Sequence, residues 1–455
     1  MNDSTTDPAL APAPASLLSR LATPAARDGL VVLFAQGSGT LLALVVDVIL
    51  FRNLPQADRG TLSATLGLQA VLVVLADLGL SLTTIRVGAK YLGAGQAAQA
   101  ATVFRLALKA RILLGLVVAG AAVVLAPVLA AAPLASPGHP GLIWAATLAV
   151  LGTSLVSWGI DLAQTCRRFG FYALLQIGNA FVKAIAIGAL LLLHTPAGPE
   201  LDRLAGVPLE QIVWLLGGAS LLAGLLSVAL GLRLIPAGAT NDAERAALVG
   251  ELRSFNRYAV ALVVLSGLSG YVEVLLLQML LTPTDTAVFD GARRFAMLLP
   301  LLTTALTTVL LPRAAALDGL AASRAYVGKA LRICVPLALV TAGGLAAIAP
   351  WVLPGVFGAK YAPAVPILQI LCLGYAFGIF MNPVTLVLYP LKREAVFVYV
   401  NALHLVLALA VGAVLIQSSG AVGAAWSVVI VKTVISLAYL PALWKALGPA
   451  ATNEP

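Results

Sequence analysis

Charge is scarce in this chain. Asp, Glu, Lys and Arg make up 10% of its 455 residues, against about 25% in soluble domains. A fold in water is thereby excluded, because 455 residues need far more charge to cover their surface. Cysteine is scarcer still: Cys166, Cys334 and Cys372 lie in or beside apolar runs at no metal-like spacing. They are read as small buried hydrophobes, with no disulfide framework and no metal site. The three histidines, His139, His194 and His404, are scattered over two predicted outer loops and one span, so no nucleophile, base and orienter come together. A G-x-x-x-x-G-K-[ST] loop is missing, which excludes ATP hydrolysis by a P-loop. No stretch is left for a soluble catalytic domain, and the chain is not expected to be an enzyme.

What is abundant is apolar surface. The chain is 60% hydrophobic, its mean hydropathy is +0.99, and its apolar runs continue for about twenty residues, the length of a membrane-spanning helix. A β-barrel would read instead as alternating segments of about ten residues. The fold class is therefore an all-α membrane protein. Twelve spans are predicted, starting near Gly29, Leu62, Leu108, Leu142, Tyr172, Ile212, Arg257, Arg294, Lys329, Ala364, Ala395 and Gly420. The longest polar connection falls at mid-chain. It divides the chain into a six-helix lobe over 29–235, an inter-lobe cytoplasmic loop over 236–256 and a second six-helix lobe over 257–444. Residues 1–28 have no apolar run of the signal-peptide kind and are expected to be a disordered cytoplasmic tail, as is 445–455.

Cytoplasmic loops retain Lys and Arg. With the N-terminus inside, twenty of the basic residues fall on the cytoplasmic side and six outside, while Lys183 and Lys432 lie within spans. Both termini are therefore predicted cytoplasmic. The net charge of +9 is accounted for by this asymmetry and requires no nucleic-acid partner. The first and seventh spans also read as copies. Asp47 opens Asp47-Val-Ile-Leu-Phe-Arg52-Asn-Leu54 and Glu273 opens Glu273-Val-Leu-Leu-Leu-Gln278-Met-Leu280, at matching depths. Such a duplication suggests two lobes with a ligand site between them.

A charge inside a span costs about 2.5–3.5 kcal/mol on insertion scales, so each needs a partner, a wet cavity or a route to the interface. Asp47, Glu273, Lys183 and Lys432 are intramembrane, and Arg293 and Arg294 stand at the predicted outer mouth of span eight. The four cations are candidate ligands for an anionic headgroup; the bland alternative is interfacial anchoring or pairing with a neighbouring acid. The two acids are candidates for coupling to protons or sodium, or else structural partners, Asp47 to Lys183 and Glu273 to Arg294. Asp77 and Asp161, near cytoplasmic span ends, are expected to bond helix termini. Gln69, Gln176, Asn179, Gln278, Asn382 and Asn401 read mainly as interhelical glue.

Five short motifs occur in order. They are Arg52-x-Leu54 with Gly60 after span one, Asp77-Leu-Gly79-Leu at the end of span two, and Ala287-Val-Phe289-Asp-Gly-Ala292-Arg-Arg294 at the start of span eight. Phe357-Gly358-x-x-Tyr361-x-x-Ala364 follows span nine, and Gly420-x-x-Gly423-Ala424-Ala425 precedes span twelve. On these motifs the chain resembles the polysaccharide flippases, O-antigen translocase type, of the multidrug, oligosaccharidyl-lipid and polysaccharide exporter superfamily. The resemblance implies flipping of an undecaprenyl-pyrophosphate-linked oligosaccharide from the cytoplasmic to the periplasmic leaflet of a bacterial inner membrane by alternating access. That transport would serve lipopolysaccharide, capsule or exopolysaccharide synthesis. Arg294 carries over as the basic residue of its motif, whose usual Gly and Tyr are Ala287 and Phe289 here. The implied partners are the lipid-linked oligosaccharide, membrane lipid and a glycan polymerase in complex, with no cofactor beyond a coupling ion. A cation-coupled drug or metabolite exporter of the same superfamily is the alternative reading.

Overall fold

The computed structural model describes residues 24–136, 138–194, 204, 206–238, 240–315, 320–387 and 394–441. Apart from the helix that already begins at Pro24, the two expected tails lie outside the described residues. Lipid offers backbone groups no hydrogen bonds, so apolar runs satisfy their own as helices. Among the described residues there are fifteen α-helices and no strand. The first half holds α1 (Pro24–Asn53), α2 (Gln56–Asp77), α3 (Leu80–Gly93), α4 (Ala97–Val124), α5 (Ala126–Ala131), α6 (Gly141–Thr165), α7 (Phe169–Leu193) and α8 (Leu209–Gly231). The second holds α9 (Asp242–Ser269), α10 (Val272–Leu280), α11 (Pro283–Ala296), α12 (Leu299–Ala315), α13 (Leu320–Phe357), α14 (Ala364–Leu386) and α15 (Glu394–Ala438).

Nine helices among the described residues are long and apolar enough to cross a membrane, or ten when α9 and α10, bent by 46° at their junction, count as one span. Their flanks suit lipid: Phe34, Leu192, Leu193, Val340 and Trp351 are each at least 70% exposed. The 45 residues of α15 would reach about 68 Å as a straight helix, twice the hydrocarbon thickness. They are broken at Gly420, whose φ of 63° and ψ of −143° are non-helical. Reaching the expected twelve spans further requires α11 and α12, with 14 and 17 residues, to form the eighth together.

Predicted starts are accurate where the first turn is apolar, as at Leu142 and Ala364, and late where it is polar. Thus α4 begins at Ala97 rather than Leu108, and α9 at Asp242 rather than Arg257. A capping box on α9, with the Asn241 side chain and Glu244 bonding each other's backbone amides, continues helix into the stretch read as the inter-lobe loop. Helix α11 likewise begins at Pro283, behind a capping box between Thr282 and Asp285. Arg294 is consequently three turns past the start of a helix, in its last turn, and not at the mouth.

The two largest hydrophobic cores among the described residues separate the halves. One is built from Val46 to Leu216, the other from Val274 to Val428 with a single addition from the first half, Phe51. The halves meet closely at two motif glycines. A Cβ on Gly60 would overlap the carbonyl oxygen of Pro283, and one on Gly79 would come 2.8 Å from the backbone of Ala259. Gly79 also has φ of 78° and, with Leu78 at 41°, separates α2 from α3. The free cysteines are buried at 334 and 372 and half-buried at 166.

Arg111, one of the twenty basic residues assigned to the cytoplasmic side, is buried at 1% side-chain exposure. Its guanidinium meets Asp77 at 2.8 Å and Asp161 at 2.6 Å and donates to Ser81 Oγ and the Ser154 carbonyl. Asp77 does bond a helix terminus, accepting the Ser81 amide of α3, whereas Asp161 serves Arg111. The cluster ties α4 to α2, α3 and α6. Arg111→Ala would strand the buried carboxylate of Asp161 and the half-buried one of Asp77, at a cost of about 3–5 kcal/mol. The expected result is a sharp loss of monodisperse protein in detergent, read by size-exclusion chromatography, and a normal elution profile and melting temperature would refute that role.

Candidate functional site

An acid buried in a span needs counter-charge, and Asp47 finds it in Arg59. Asp47 lies six residues before the end of α1 and Arg59 three after the start of α2, so the antiparallel turn brings them to one depth. Arg59 Nη2 is 3.0 Å from Asp47 Oδ1 and 3.4 Å from Asp290 Oδ2, with the Arg59 side chain fully buried. Its guanidinium also lies 3.8 Å from the centre of the Phe51 ring and donates to Ser63 Oγ, while Ser63 Oγ donates to Asp290. Arg294, one turn beyond Asp290 on α11, closes the ring: Nη1 is 3.1 Å from Asp47 Oδ2 and Nε 3.2 Å from Asp290 Oδ2. Two arginines and two aspartates alternate, one of each from each half.

Everything around this ring tightens the same end of the bundle. Phe51 stacks on Phe357 with ring centres 4.2 Å apart and meets Tyr361 edge-on at 5.1 Å. Arg52 donates to the carbonyls of Gly355 and Val356 at the end of α13, and Lys360 donates to Leu54 O at 2.7 Å. Gln278 donates to Leu134 O. The motif residues 52, 54, 60, 357 and 361 thus form a seal at the end predicted to face outward.

Directly beneath the seal is a pocket of about 130 Å³, reached by Asp47, Gln69, Lys183, Ser220 and Arg294 among others. Lys183 is half-buried on α7 and, among the described residues, makes no ion pair or hydrogen bond. Asn179, one turn below it, has a buried side-chain oxygen without a partner. The pocket therefore carries one acid and two cations, and only Lys183 is uncommitted. Its volume holds about four waters, so a large headgroup can enter only when the halves separate.

Of the residues singled out in the sequence, Arg294, Lys183 and Asp47 share this pocket, and Arg293, Lys432 and Glu273 do not line it. Arg293 donates to Gly270 O at 2.8 Å and lies over the Tyr271 ring, at the break between α9 and α10. Glu273 is buried in the first turn after that break. It makes no ion pair within 4 Å among the described residues, and Arg293 and Lys432 are the cations in its surroundings. Lys432 sits 4.6 Å from the centre of the Tyr375 ring. Neither expected ion pair forms: Asp47 takes Arg59 and Arg294 instead of Lys183, and Glu273 does not pair with Arg294. The likeness of the two repeats also ends at the backbone, since α1 runs straight through Asp47 while the chain bends just before Glu273. Asn382 bonds Thr307 on another helix, whereas Asn401 bonds within its own.

Sequence reading missed Arg59, Ser63 and Asp290. Two signals pointed to them: the depth match of Asp47 and Arg59 across a two-residue turn, and the i, i+4 spacing of Asp290 and Arg294. At the opposite end of the bundle α9 packs on α3, with Thr83 bonded to Asn256 and Glu251 accepting from Lys90 Nζ and Tyr91 Oη, each at 2.6 Å. Those two hydrogen bonds, Lys90 first, hold the Glu251 carboxyl below its ordinary range. What this contact adds is present at neutral pH and lost as pH falls through that lowered value. No group of three or more metal-ligating side chains occurs among the described residues.

Residues 25–317 match the family model described as polysaccharide biosynthesis protein. No curated protein sequence matches the chain. Among solved structures, the fold is similar to the lipid II flippase MurJ in an inward closed conformation, with a TM-score of 0.68, 13% identity, and 90% of this chain and 86% of that one covered. An inward-facing multidrug resistance MATE family transporter of the MOP superfamily aligns with a TM-score of 0.63 at 14% identity, covering 91% and 96%. A MOP superfamily transporter from Pyrococcus furiosus, described by a binding pocket of reverse polarity, aligns at 0.62 and 12% identity, covering 94% and 96%. At these identities the likeness speaks to the fold.

Proposed function

The chain belongs to the polysaccharide biosynthesis protein family, and from that premise we propose that it flips a polyprenyl-pyrophosphate-linked oligosaccharide between membrane leaflets by alternating access. Family and structural neighbours are transporters and flippases rather than enzymes. The observation that carries the reading is Lys183, an intramembrane cation with no partner among the described residues, opening on the same pocket as Arg294. A group so costly to place there is accounted for by an anionic ligand that completes it.

The mechanism follows from the charge ring. With the outward end sealed, Arg294 is shared by Asp47 and Asp290. A pyrophosphate entering the pocket binds Lys183 and competes with the two carboxylates for Arg294, which loosens the bonds that tie the halves together. The polyprenyl tail stays in lipid while the headgroup passes. Freed from Arg294 when the halves part, with Arg59 of its own half still beside it, Asp47 becomes able to take a proton or sodium ion, and its return to Arg294 resets the cycle. Glu273 is the second candidate for such coupling. The proposed location is a bacterial inner membrane, and the proposed product feeds surface polysaccharide such as lipopolysaccharide, with a glycan polymerase as a further partner.

One observation favours a second reading. Asp47 lines the same pocket, and an acid there suits a cationic drug or metabolite. A strain lacking the gene separates the two. Flipping predicts lipid-linked oligosaccharide held on the cytoplasmic side, seen with a leaflet-specific probe of sugar exposure, and loss of surface polysaccharide. Unchanged lipid-linked sugar together with raised retention of cationic dyes would establish the exporter instead.

A further inference from the structure

A second, wider cleft lies away from the pocket, at the end of the bundle where Lys and Arg concentrate. It measures about 870 Å³ and is lined by Asp28 at the start of α1, Arg167, Arg168, Phe169 and Gly170 at the turn from α6 to α7, and Arg233 just after α8. Its sides are apolar, with Leu174 57% and Leu230 37% exposed, so it opens on both the aqueous face and the lipid tails. Three guanidiniums line it. Among the described residues, none of their side chains has an ion pair or hydrogen bond, and half-buried Asp28 is the single acid in the lining. Among the described residues, the excess positive charge is therefore uncompensated.

Local backbone strengthens the case. Helix α7 is 25 residues long and its N-terminus has no side-chain cap; the Phe171 and Tyr172 amides bond the Arg168 carbonyl, which leaves the amides of Phe169 and Gly170 and the positive end of the dipole at the cleft. A Cβ on Gly170 would meet nothing within 4 Å, which leaves room above those amides. Arg167 occupies the position just past α6 where glycine is usual, at φ of 53°. A face of α7 then leads inward: Arg168, Tyr172, Gln176, Asn179 and Lys183 follow at spacings of three and four. Tyr172 is bonded to Gln36 of α1, and Asn179 carries the unpartnered oxygen already noted.

We propose that this cleft is a docking site for the pyrophosphate of the lipid-linked substrate, occupied before the headgroup reaches Lys183. The inference rests on the flippase reading. Two adjacent phosphates suit three guanidinium forks, each able to bind bidentately. The apolar walls suit the first isoprene units, and the polar face of α7, covered by α1 where Tyr172 bonds Gln36, runs about 20 Å from the cleft to the pocket.

The test is binding of a polyprenyl pyrophosphate to the purified protein in detergent, with phosphatidylglycerol as competitor. All three arginines are exposed, so the triple variant R167A/R168A/R233A is expected to fold. Its affinity should fall about tenfold or more, with Lys183→Ala retaining the cleft's share of binding and Lys109→Ala, a cation elsewhere on that end, binding as wild type. In proteoliposomes the triple variant should flip slowly at low substrate and recover at high substrate. Unaltered affinity in the triple variant, an equal loss in Lys109→Ala, or displacement by phosphatidylglycerol at matching concentrations would overturn the proposal. Failure of the flippase reading looks different, since wild-type protein would then flip no substrate at any concentration.

Discussion

An Asp290→Asn variant is expected to rest open at its outward end. Asp290 is 1% exposed and touches Arg59, Arg293 and Arg294, so removing its charge leaves three cations facing Asp47 alone. Breaking a buried, hydrogen-bonded ion pair costs about 3–5 kcal/mol. That cost falls on the sealed state, because once the halves part water reaches these groups. At 1.4 kcal/mol per factor of ten, the balance moves by about two to three and a half orders of magnitude. The check is a cysteine at position 69, in the pocket, in a background with Cys166, Cys334 and Cys372 replaced. Asp290→Asn should raise its labelling by a membrane-impermeant thiol reagent from outside about a hundredfold or more. Equal labelling in both proteins would show that the ring does not hold the seal.

Lys183→Ala should abolish most transport while leaving the protein at least as stable as before. The two halves of that statement have one cause. A structural lysine would have a partner, and its loss would leave an acid stranded; Lys183 has none among the described residues. Truncating it relieves an intramembrane charge worth about 2.5–3.5 kcal/mol on insertion scales, so the melting temperature in detergent should hold or rise. Transport should fall at least tenfold, about 1.4 kcal/mol of lost binding, and Lys183→Arg should restore much of it. A falling melting temperature with retained transport would return Lys183 to a structural role.

Fold class and most helix positions were legible because the signal is long: runs of about twenty apolar residues leave helices as the workable solution in lipid. Where the reading slipped, the cause was polar helix. Thr282, Asp285 and Asp290 make the first turns of α11 look like loop, which placed Arg294 at a mouth instead of three turns in. Arg111 was not legible as a buried cation, because its partners Asp77 and Asp161 come from distant stretches of chain. Lys183, Arg294 and Asp47 were legible singly, as charges a span does not carry without reason. Their meeting in one pocket was not, since it depends on how α1, α7 and α11 pack. Arg59 and Asp290 had been passed over inside motifs noticed for their glycines and arginines; the structure shows that those motifs mainly build the seal.

The most direct test places polyprenyl-pyrophosphate-linked oligosaccharide in the inner leaflet of proteoliposomes and follows its sugar to the outer leaflet with an impermeant probe. Wild-type protein is predicted to expose the sugar, and Lys183→Ala to leave it near the level of empty vesicles. Exposure by Lys183→Ala at the wild-type rate would contradict passage of the headgroup through this pocket.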